Sequence, residues 1–126
     1  MRLIVMPGDG IGPEIIGAAV DVMSAADTRY GLGLSYDYED AGFASLEKHG
    51  TTLRQEVLER AKDYDGVILG TQSHNDYPPP EEGGRNISAS FRVGLDLYAK
   101  DFHVWIRGHR MIAEHVMPAV VDACRD

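Results

Sequence analysis

The chain has 126 residues with 12 basic and 20 acidic side chains, which is long enough for one domain with a buried core. Its net charge of −8 repels phosphate backbones and anionic bilayer surfaces, so the composition argues against a nucleic acid partner and against a membrane partner. A single cysteine, Cys124, excludes an internal disulfide and a thiolate metal site; with no apolar run long enough for a signal peptide or a membrane span, we expect a cytoplasmic protein.

The first forty residues predict a strand, a helix and a second strand. Arg2–Met6 is a short apolar run that a Pro-Gly turn ends, as expected of a buried strand. A helix begins at Pro13 because proline is tolerated at the first helical position. Its apolar stripe predicts packing against a sheet, and Leu34–Gly42 alternates as a second strand. The stripe consists of Ile15, Ile16, Ala19, Val20 and Met23.

The middle of the chain predicts a second helix and a third strand. Thr52 and Gln55 have the spacing of a capping box, which predicts a helix over Thr52–Asp63. Gly66–Gly70 is an apolar run typical of a strand buried on both faces. This order of elements predicts an α/β fold with a mainly parallel sheet flanked by helices.

The second half begins with a long loop. Residues 71–86 contain three prolines and two adjacent glycines, which predict an irregular surface loop. Ile87–Val93 predicts the start of a helix, and a strand is expected at the sequence LDLYA that follows. Residues 109–126 predict a helix interrupted near Pro118.

The glycine-rich segment Gly8–Glu14, GDGIGPE, leaves two interpretations open. A glycine turn before a helix is typical of phosphate binding at the helix N-terminus. The spacing fits neither the dinucleotide fingerprint nor the Walker pattern, so a structural tight turn is the alternative. The five histidines form no i, i+4 pair and no zinc set. Ser73 and its neighbours His74 and Asp76 lack a nucleophile elbow, so we discard a catalytic triad.

Arg92 is a candidate for binding a carboxylate. Its guanidinium presents a planar fork of donors that matches a carboxylate. Ser88 lies four residues upstream, on the same face of a helix, and Asn86 adds a neutral hydrogen-bonding group. The alternative is an arginine that covers the end of the sheet and pairs with Asp96. The residues alone leave both interpretations open.

Two stretches together resemble a known family. MPGDGIGPEI at the start and GRNISASFRVGLDLYA after the third strand are similar to motifs of the β-decarboxylating dehydrogenases, which act on isopropylmalate, isocitrate or tartrate. The segments DAG, GTTLRQEVLERAKDYDGVILG and TQSHNDYPPPEEGG fall between them in the family's order. The resemblance covers residues 1 to about 99 and implies the N-terminal portion of an isopropylmalate dehydrogenase-like domain.

The resemblance implies oxidation and decarboxylation of a 2-hydroxy acid with NAD or NADP and with Mg²⁺ or Mn²⁺. Arg92 matches the family's first arginine for the substrate carboxylate. Asn86 and Ser88 match positions that touch the substrate or the nicotinamide end. Ile11 and Ser73 match cofactor-side positions. A homo-oligomer is expected, because the family's first domain is completed by chain that returns from further along.

The resemblance weakens after residue 100. Lys100 and Phe102 stand where the family has an asparagine and a second carboxylate arginine. We therefore expect a family portion over residues 1–100 and an unrelated helical tail over residues 101–126. The family's catalytic tyrosine and lysine and its metal-binding aspartates follow this point, so no catalytic or metal residue is assigned. Two functions stay open: a dehydrogenase, or a truncated, non-catalytic module that binds carboxylates weakly.

Overall fold

A computed structural model describes residues 1–94, which alternate strands and helices as the sequence predicts. None of the helices in this range is both long and apolar enough to cross a bilayer. The elements are β1 Arg2–Met6, α1 Gly12–Tyr30, β2 Ser35–Tyr38, α2 Phe43–His49, α3 Gln55–Arg60 with a 3₁₀ turn Ala61–Asp63, β3 Gly66–Leu69, a 3₁₀ turn Pro80–Glu82, and α4 Ile87–Gly94.

The three strands form a parallel sheet in the order β2-β1-β3. Leu3 of β1 is in register with Tyr36 of β2 and with Gly66 of β3. The central strand is buried from Leu3 to Met6 because it has a neighbour on either side. The predicted α/β fold with a parallel sheet is therefore confirmed.

Side chains of β1 alternate between two cores, one on each face of the sheet. Val5 packs with Ile16 and Val20 of α1. Ile4 and Met6 point to the opposite face and belong to the larger core. The buried partners in the larger core are Ala41, Leu53, Val57, Leu58, Ala61, Ile87 and Phe91. Helix α1 thus covers one face of the sheet, and α3 with α4 covers the other. Of the apolar stripe predicted for α1, Ile16 and Val20 are buried, Ala19 and Met23 are half-buried, and Ile15 is 48% exposed, so its inclusion in the stripe was wrong.

The predicted capping box is wrong. Helix α3 begins at Gln55, and Arg54 at its N-terminus makes no side-chain capping bond. Thr52 is instead fully buried, and its hydroxyl exchanges two hydrogen bonds with the backbone of Arg85. The Thr52 side chain, which the local pattern assigned to a helix cap, therefore bonds to a residue that is distant in the sequence.

Three other predicted features differ from the structure. The second strand stops at Tyr38, well before the predicted Gly42, because β1 ends at Met6 and Gly42 bonds to Thr52 instead. Helix α2 covers Phe43–His49, a segment for which the sequence predicted no helix. The third strand is half-buried along its length rather than fully buried, since it lies at an edge of the three-stranded sheet of residues 1–94.

Helix α4 occupies the predicted position and runs one residue further, to Gly94. The expected strand LDLYA, the helix expected at residues 109–126 and the boundary at residue 100 lie outside the described residues.

Candidate functional site

The carboxyl ends of β1 and β3 bring two loops together at one edge of the sheet. The chain passes from β1 through α1 to β2 on one side, whereas β3 pairs with the other side of β1. Open α/β sheets bind ligands where the strand order reverses in this way. The amide of Gly70 donates to the carbonyl of Met6 at 2.8 Å, and that of Asp9 donates to Thr71 at 2.8 Å. The turn at residues 7–12 therefore lies against the loop at residues 70–77.

Two positions of the turn require glycine, because neighbouring backbone lies too close to leave room for a Cβ atom. Gly8 has a φ of 77°, and a Cβ there would lie 2.1 Å from the carbonyl oxygen of Thr71. A Cβ on Gly12 would lie 2.1 Å from the carbonyl oxygen of Pro7. The amides of Asp9 and Gly12 bond within the protein, and Pro13 has no amide hydrogen. Three positions of the turn therefore offer no donor to a phosphate, and together with the close backbone approach this favours the structural interpretation of GDGIGPE.

Asp9 is the buried centre of this edge, with 7% of its surface exposed. Its Oδ1 accepts the amide of Phe43 at 2.8 Å. Its Oδ2 accepts the amide of Ser73 at 3.1 Å and the hydroxyl of Tyr77. The rings of Phe43 and Tyr77 meet edge to face at 5.1 Å between centroids. Sequence reasoning missed Asp9; the available signal was an aspartate between two glycines in a strand-to-helix turn.

The two residues that the resemblance assigned to the cofactor side both flank this junction. Ile11 precedes α1 and is 58% exposed, which is unusual for a large apolar side chain beside a buried strand end. Ser73 is half-buried; its amide is bonded to Asp9, and its hydroxyl makes no hydrogen bond with any of residues 1–94. Ser73 is thus bonded directly to the Asp9 carboxylate, and Ile11 lies two positions after Asp9 in the chain.

Gln72 provides a test of whether this edge suits a polar cofactor. Its Nε2 is buried and has no hydrogen-bond partner among residues 1–94, and a buried donor left in this state is costly unless something else satisfies it. Beside it, Ser73 has an unengaged hydroxyl and Ile11 an exposed apolar surface. The exposed side chain of Ile11 and the hydroxyl of Ser73 are the groups that one end of NAD or NADP would contact, whereas the buried Nε2 of Gln72 would first have to become exposed.

Tyr77 makes the Asp9 junction sensitive to high pH. Burial, together with the hydrogen bond to Asp9, raises the pKa of Tyr77 well above its usual range. Because the pKa of Tyr77 is raised in the folded state, its protonated form contributes stability below the pKa of the unfolded state, about 10 for tyrosine. This contribution is lost as the pH rises further.

We expect the urea concentration at the unfolding midpoint of the wild-type protein to fall above a pH of about 10, and to fall less in Tyr77→Phe. Equal losses in both proteins would contradict this; Tyr38→Phe, at an exposed tyrosine, is the control.

The other predicted residues lie on and before α4. Asn86 caps this helix: its Oδ1 accepts the amide of Ala89 at 3.0 Å, and its carbonyl accepts the amide of Ser90 at 2.9 Å. Sequence reasoning missed the cap, although asparagine before an apolar helix start is a recognised signal. The cap leaves the Nδ2 of Asn86 as the group that can donate to a ligand.

Ser88 and Arg92 lie on the same face of α4, as the spacing predicts. Ile87 precedes Ser88, and Phe91 precedes Arg92. Both apolar side chains are buried in the larger core and fix the orientation of the helix. Ser88 is consequently half-buried and Arg92 exposed. Among residues 1–94 neither side chain has a hydrogen bond or an ion pair, and Asp96 lies outside that range. Arg92 therefore presents a positive charge that no described residue neutralises.

The described residues do not fit a divalent metal. Within residues 1–94 no three His, Cys, Asp or Glu side chains are placed to hold one. Nor does any hydrogen bond in this range join Asn86, Ser88 or Arg92 to Ile11 or Ser73. The structure thus brings the predicted residues together as two sets, one at the sheet edge and one on α4.

Comparison with known proteins gives consistent matches. A family model for isocitrate/isopropylmalate dehydrogenase matches residues 2–115. A 3-isopropylmalate dehydrogenase from Xanthomonas oryzae is 46% identical over 69 residues, covering 55% of this chain and 19% of that protein. The corresponding enzyme from Pseudomonas putida is 45% identical over 69 residues, with the same coverage of both chains.

Two solved structures resemble the fold. A β-decarboxylating dehydrogenase from Thermococcus kodakarensis in its apo form has a TM-score of 0.62 and 33% identity, and the match covers 77% of this chain and 27% of that one. An isocitrate dehydrogenase from Methylococcus capsulatus gives 0.62 and 33%, covering 77% and 26%. The chain spans 19% of the length of the curated relatives above. The family match includes residues 101–115, so the boundary at residue 100 stays a prediction.

Proposed function

Because the chain belongs to the isocitrate/isopropylmalate dehydrogenase family, we propose that it supplies two parts of an NAD(P)-dependent oxidative decarboxylation site. Helix α4 binds one carboxylate of a 2-hydroxy acid through Arg92, with Ser88 and Asn86 beside it. The sheet edge at Ile11 and Ser73 contacts the cofactor. The observation that carries the proposal is the charge of Arg92, which no residue among 1–94 neutralises, one helical turn after a Ser88 hydroxyl that makes no hydrogen bond within the same range.

Arginine suits both stages of such a reaction. Its two parallel N–H groups hold a carboxylate in a fixed orientation. The same charge stabilises the negative charge that develops as carbon dioxide leaves and an enolate forms. NAD(P), when bound, accepts the hydride from the hydroxyl-bearing carbon. Ser88 and the Nδ2 of Asn86 orient the substrate by donating hydrogen bonds.

The remaining groups of the reaction have no counterpart among residues 1–94. A general acid–base pair and Mg²⁺ or Mn²⁺ ligands are required for the family's chemistry, and the described residues offer no metal set. We propose that other residues supply them, from beyond the described range or from a second copy in a cytoplasmic homo-oligomer. The substrate is isopropylmalate, isocitrate or tartrate, as the family resemblance implies.

A second candidate function is a non-catalytic module that binds carboxylates. The observation behind it is that Arg92 has no neutralising partner among residues 1–94, while the same residues offer no metal set. Both functions use Arg92, but the dehydrogenase produces NADH or NADPH and the module does not.

Arg92→Ala is expected to weaken binding of the hydroxy acid roughly ten- to a hundredfold, because a charge-assisted hydrogen bond is worth about 1.5–3 kcal/mol. Calorimetry with isopropylmalate, isocitrate, tartrate and malate in turn, in the presence of Mn²⁺, identifies the ligand that binds. Arg92→Lys keeps the charge but loses the fork, so we expect an intermediate loss.

The control is Arg29→Ala, at an exposed arginine of α1. Equal affinities in wild type and Arg92→Ala, or equal losses in both alanine variants, would overturn the role of Arg92. NADH or NADPH formation by the wild-type chain that Arg92→Ala abolishes would establish the dehydrogenase. Binding without turnover would support the non-catalytic module.

A further inference from the structure

We propose that Asp9 is a positioning residue for the cofactor-side edge. Its carboxylate holds the turn at residues 7–12 in fixed register with the loop at residues 70–77, so that Ile11 and Ser73 keep a constant separation. This inference rests on the proposed function, because Ile11 and Ser73 are cofactor-side residues only under that proposal. Asp9 itself belongs to neither of the two predicted residue sets.

Four hydrogen bonds join Asp9 to the loop. The backbone amide and carbonyl of Asp9 pair with the carbonyl and hydroxyl of Thr71, at 2.8 and 2.6 Å. Its carboxylate accepts from the amide of Ser73 and the hydroxyl of Tyr77. Long loops are normally the mobile part of a fold, but this loop is attached to the turn at three of its residues.

A third element is fitted to the same carboxylate. The amide of Phe43, at the start of α2, donates to Oδ1. The preceding Gly42 has a φ of 70°, and a Cβ there would lie 2.2 Å from Oδ1. The backbone at Gly42 and Phe43 therefore packs closely against Asp9 on the α2 side as well, and this restricts the orientation of the carboxylate.

The carboxylate contributes to stability as the acceptor for the amides of Phe43 and Ser73, which an apolar side chain would leave without a partner. A fully bonded buried carboxylate gives directional constraint that apolar contacts lack. Here the constraint falls on Ser73, whose amide is bonded, and on Gly10, the one residue that separates Asp9 from Ile11.

Asp9→Asn tests the inference without changing volume. Whichever way the carboxamide is turned, its NH₂ group faces a backbone amide, that of Phe43 on one side or of Ser73 on the other. We expect amide exchange in residues 71–77 or at Phe43 to become at least tenfold faster, with β1 unchanged. We also expect NADH, followed by its fluorescence, to bind at least tenfold more weakly, with binding of the hydroxy acid at Arg92 within twofold.

Tyr77→Phe is the milder second variant, since it removes one of the bonds to Asp9 and no charge. We expect the same pattern at smaller amplitude. Asp21→Asn, on the exposed surface of α1, is the control for the lost charge. If Asp9→Asn does not fold, Tyr77→Phe alone decides.

The outcomes separate this inference from the proposed function. Wild type that binds NADH, with variants that bind it equally well, overturns the positioning role and leaves the proposed function intact. Equal weakening of NADH and hydroxy acid, with faster exchange in β1 as well, also overturns it, because Asp9 then acts on stability alone. Wild type that binds the hydroxy acid but not NADH removes the cofactor-side proposal, and the positioning role falls with it.

Discussion

Gly70→Ala is expected to lower the free energy of unfolding by more than about 3 kcal/mol, a large part of the stability of a small domain. A Cβ at this position would lie 1.8 Å from the carbonyl oxygen of Pro7 and 3.0 Å from the Cγ1 of Ile16. The first contact is with backbone, so relief requires β1 and β3 to separate at the ends that carry the turn at residues 7–12 and the loop at residues 70–77. The amide of Gly70, which donates to Met6, opposes that separation. Urea unfolding followed by circular dichroism measures the loss.

Gly17→Ala is the matched control. Gly17 lies on the exposed side of α1, and a Cβ there would meet no atom within 4 Å. Because alanine favours a helix over glycine, this variant is expected to gain up to about 1 kcal/mol. An unfolding midpoint for Gly70→Ala equal to that of wild type would show that the strand ends do not approach as closely as described.

The fold was predictable where an element is specified locally. β1 and β3 are apolar runs bounded by glycine or proline, and α1 carries an apolar stripe long enough to identify its period. Helix α2 has only seven residues, too few for a periodic signal, and glycines with positive φ mark both of its ends. The end of β2 depends on how far its partner β1 extends, so alternation in its own sequence gave a boundary that is too late.

The candidate site was also predictable only where it depends on residues that are close together in the sequence. The i, i+4 spacing of Ser88 and Arg92 is local, and the helix places them on one face as expected. Asp9 could not be found by spacing, because its carboxylate partners are 34, 64 and 68 residues away along the chain. Thr52 shows the opposite error: a local pattern predicted a cap, but a residue 33 positions away binds the hydroxyl.

The two residue sets depend on different parts of the fold. The edge at Ile11 and Ser73, which we propose contacts the cofactor, is held by backbone approach at Gly8 and Gly70 and by the Asp9 carboxylate. Helix α4 is held by Ile87 and Phe91 in the larger core and by the bond of Arg85 to Thr52. A substitution at one anchor is therefore expected to affect one set of residues before the other.

Thr52→Val is expected to lower the free energy of unfolding by about 1–3 kcal/mol, since two part-buried hydrogen bonds to the backbone of Arg85 are lost at about 0.5–1.5 kcal/mol each. The Thr52 hydroxyl donates to the carbonyl of Arg85 at 3.0 Å and accepts its amide at 2.8 Å. Valine has the same shape and can do neither. Arg85 directly precedes Asn86, the cap of α4, so amide exchange at residues 85–90 should rise more than exchange in β1.

Thr28→Val separates this effect from the loss of any hydroxyl. Thr28 is exposed on α1, where its hydroxyl bonds only to the carbonyl of Ser24 one turn earlier, and a change there is expected to stay within about 0.5 kcal/mol. If both valine variants unfold at the wild-type urea concentration, Thr52 does not anchor α4. If Thr52→Val loses stability while exchange rises equally in β1 and α4, the hydroxyl supports the whole core rather than the start of the substrate-side helix.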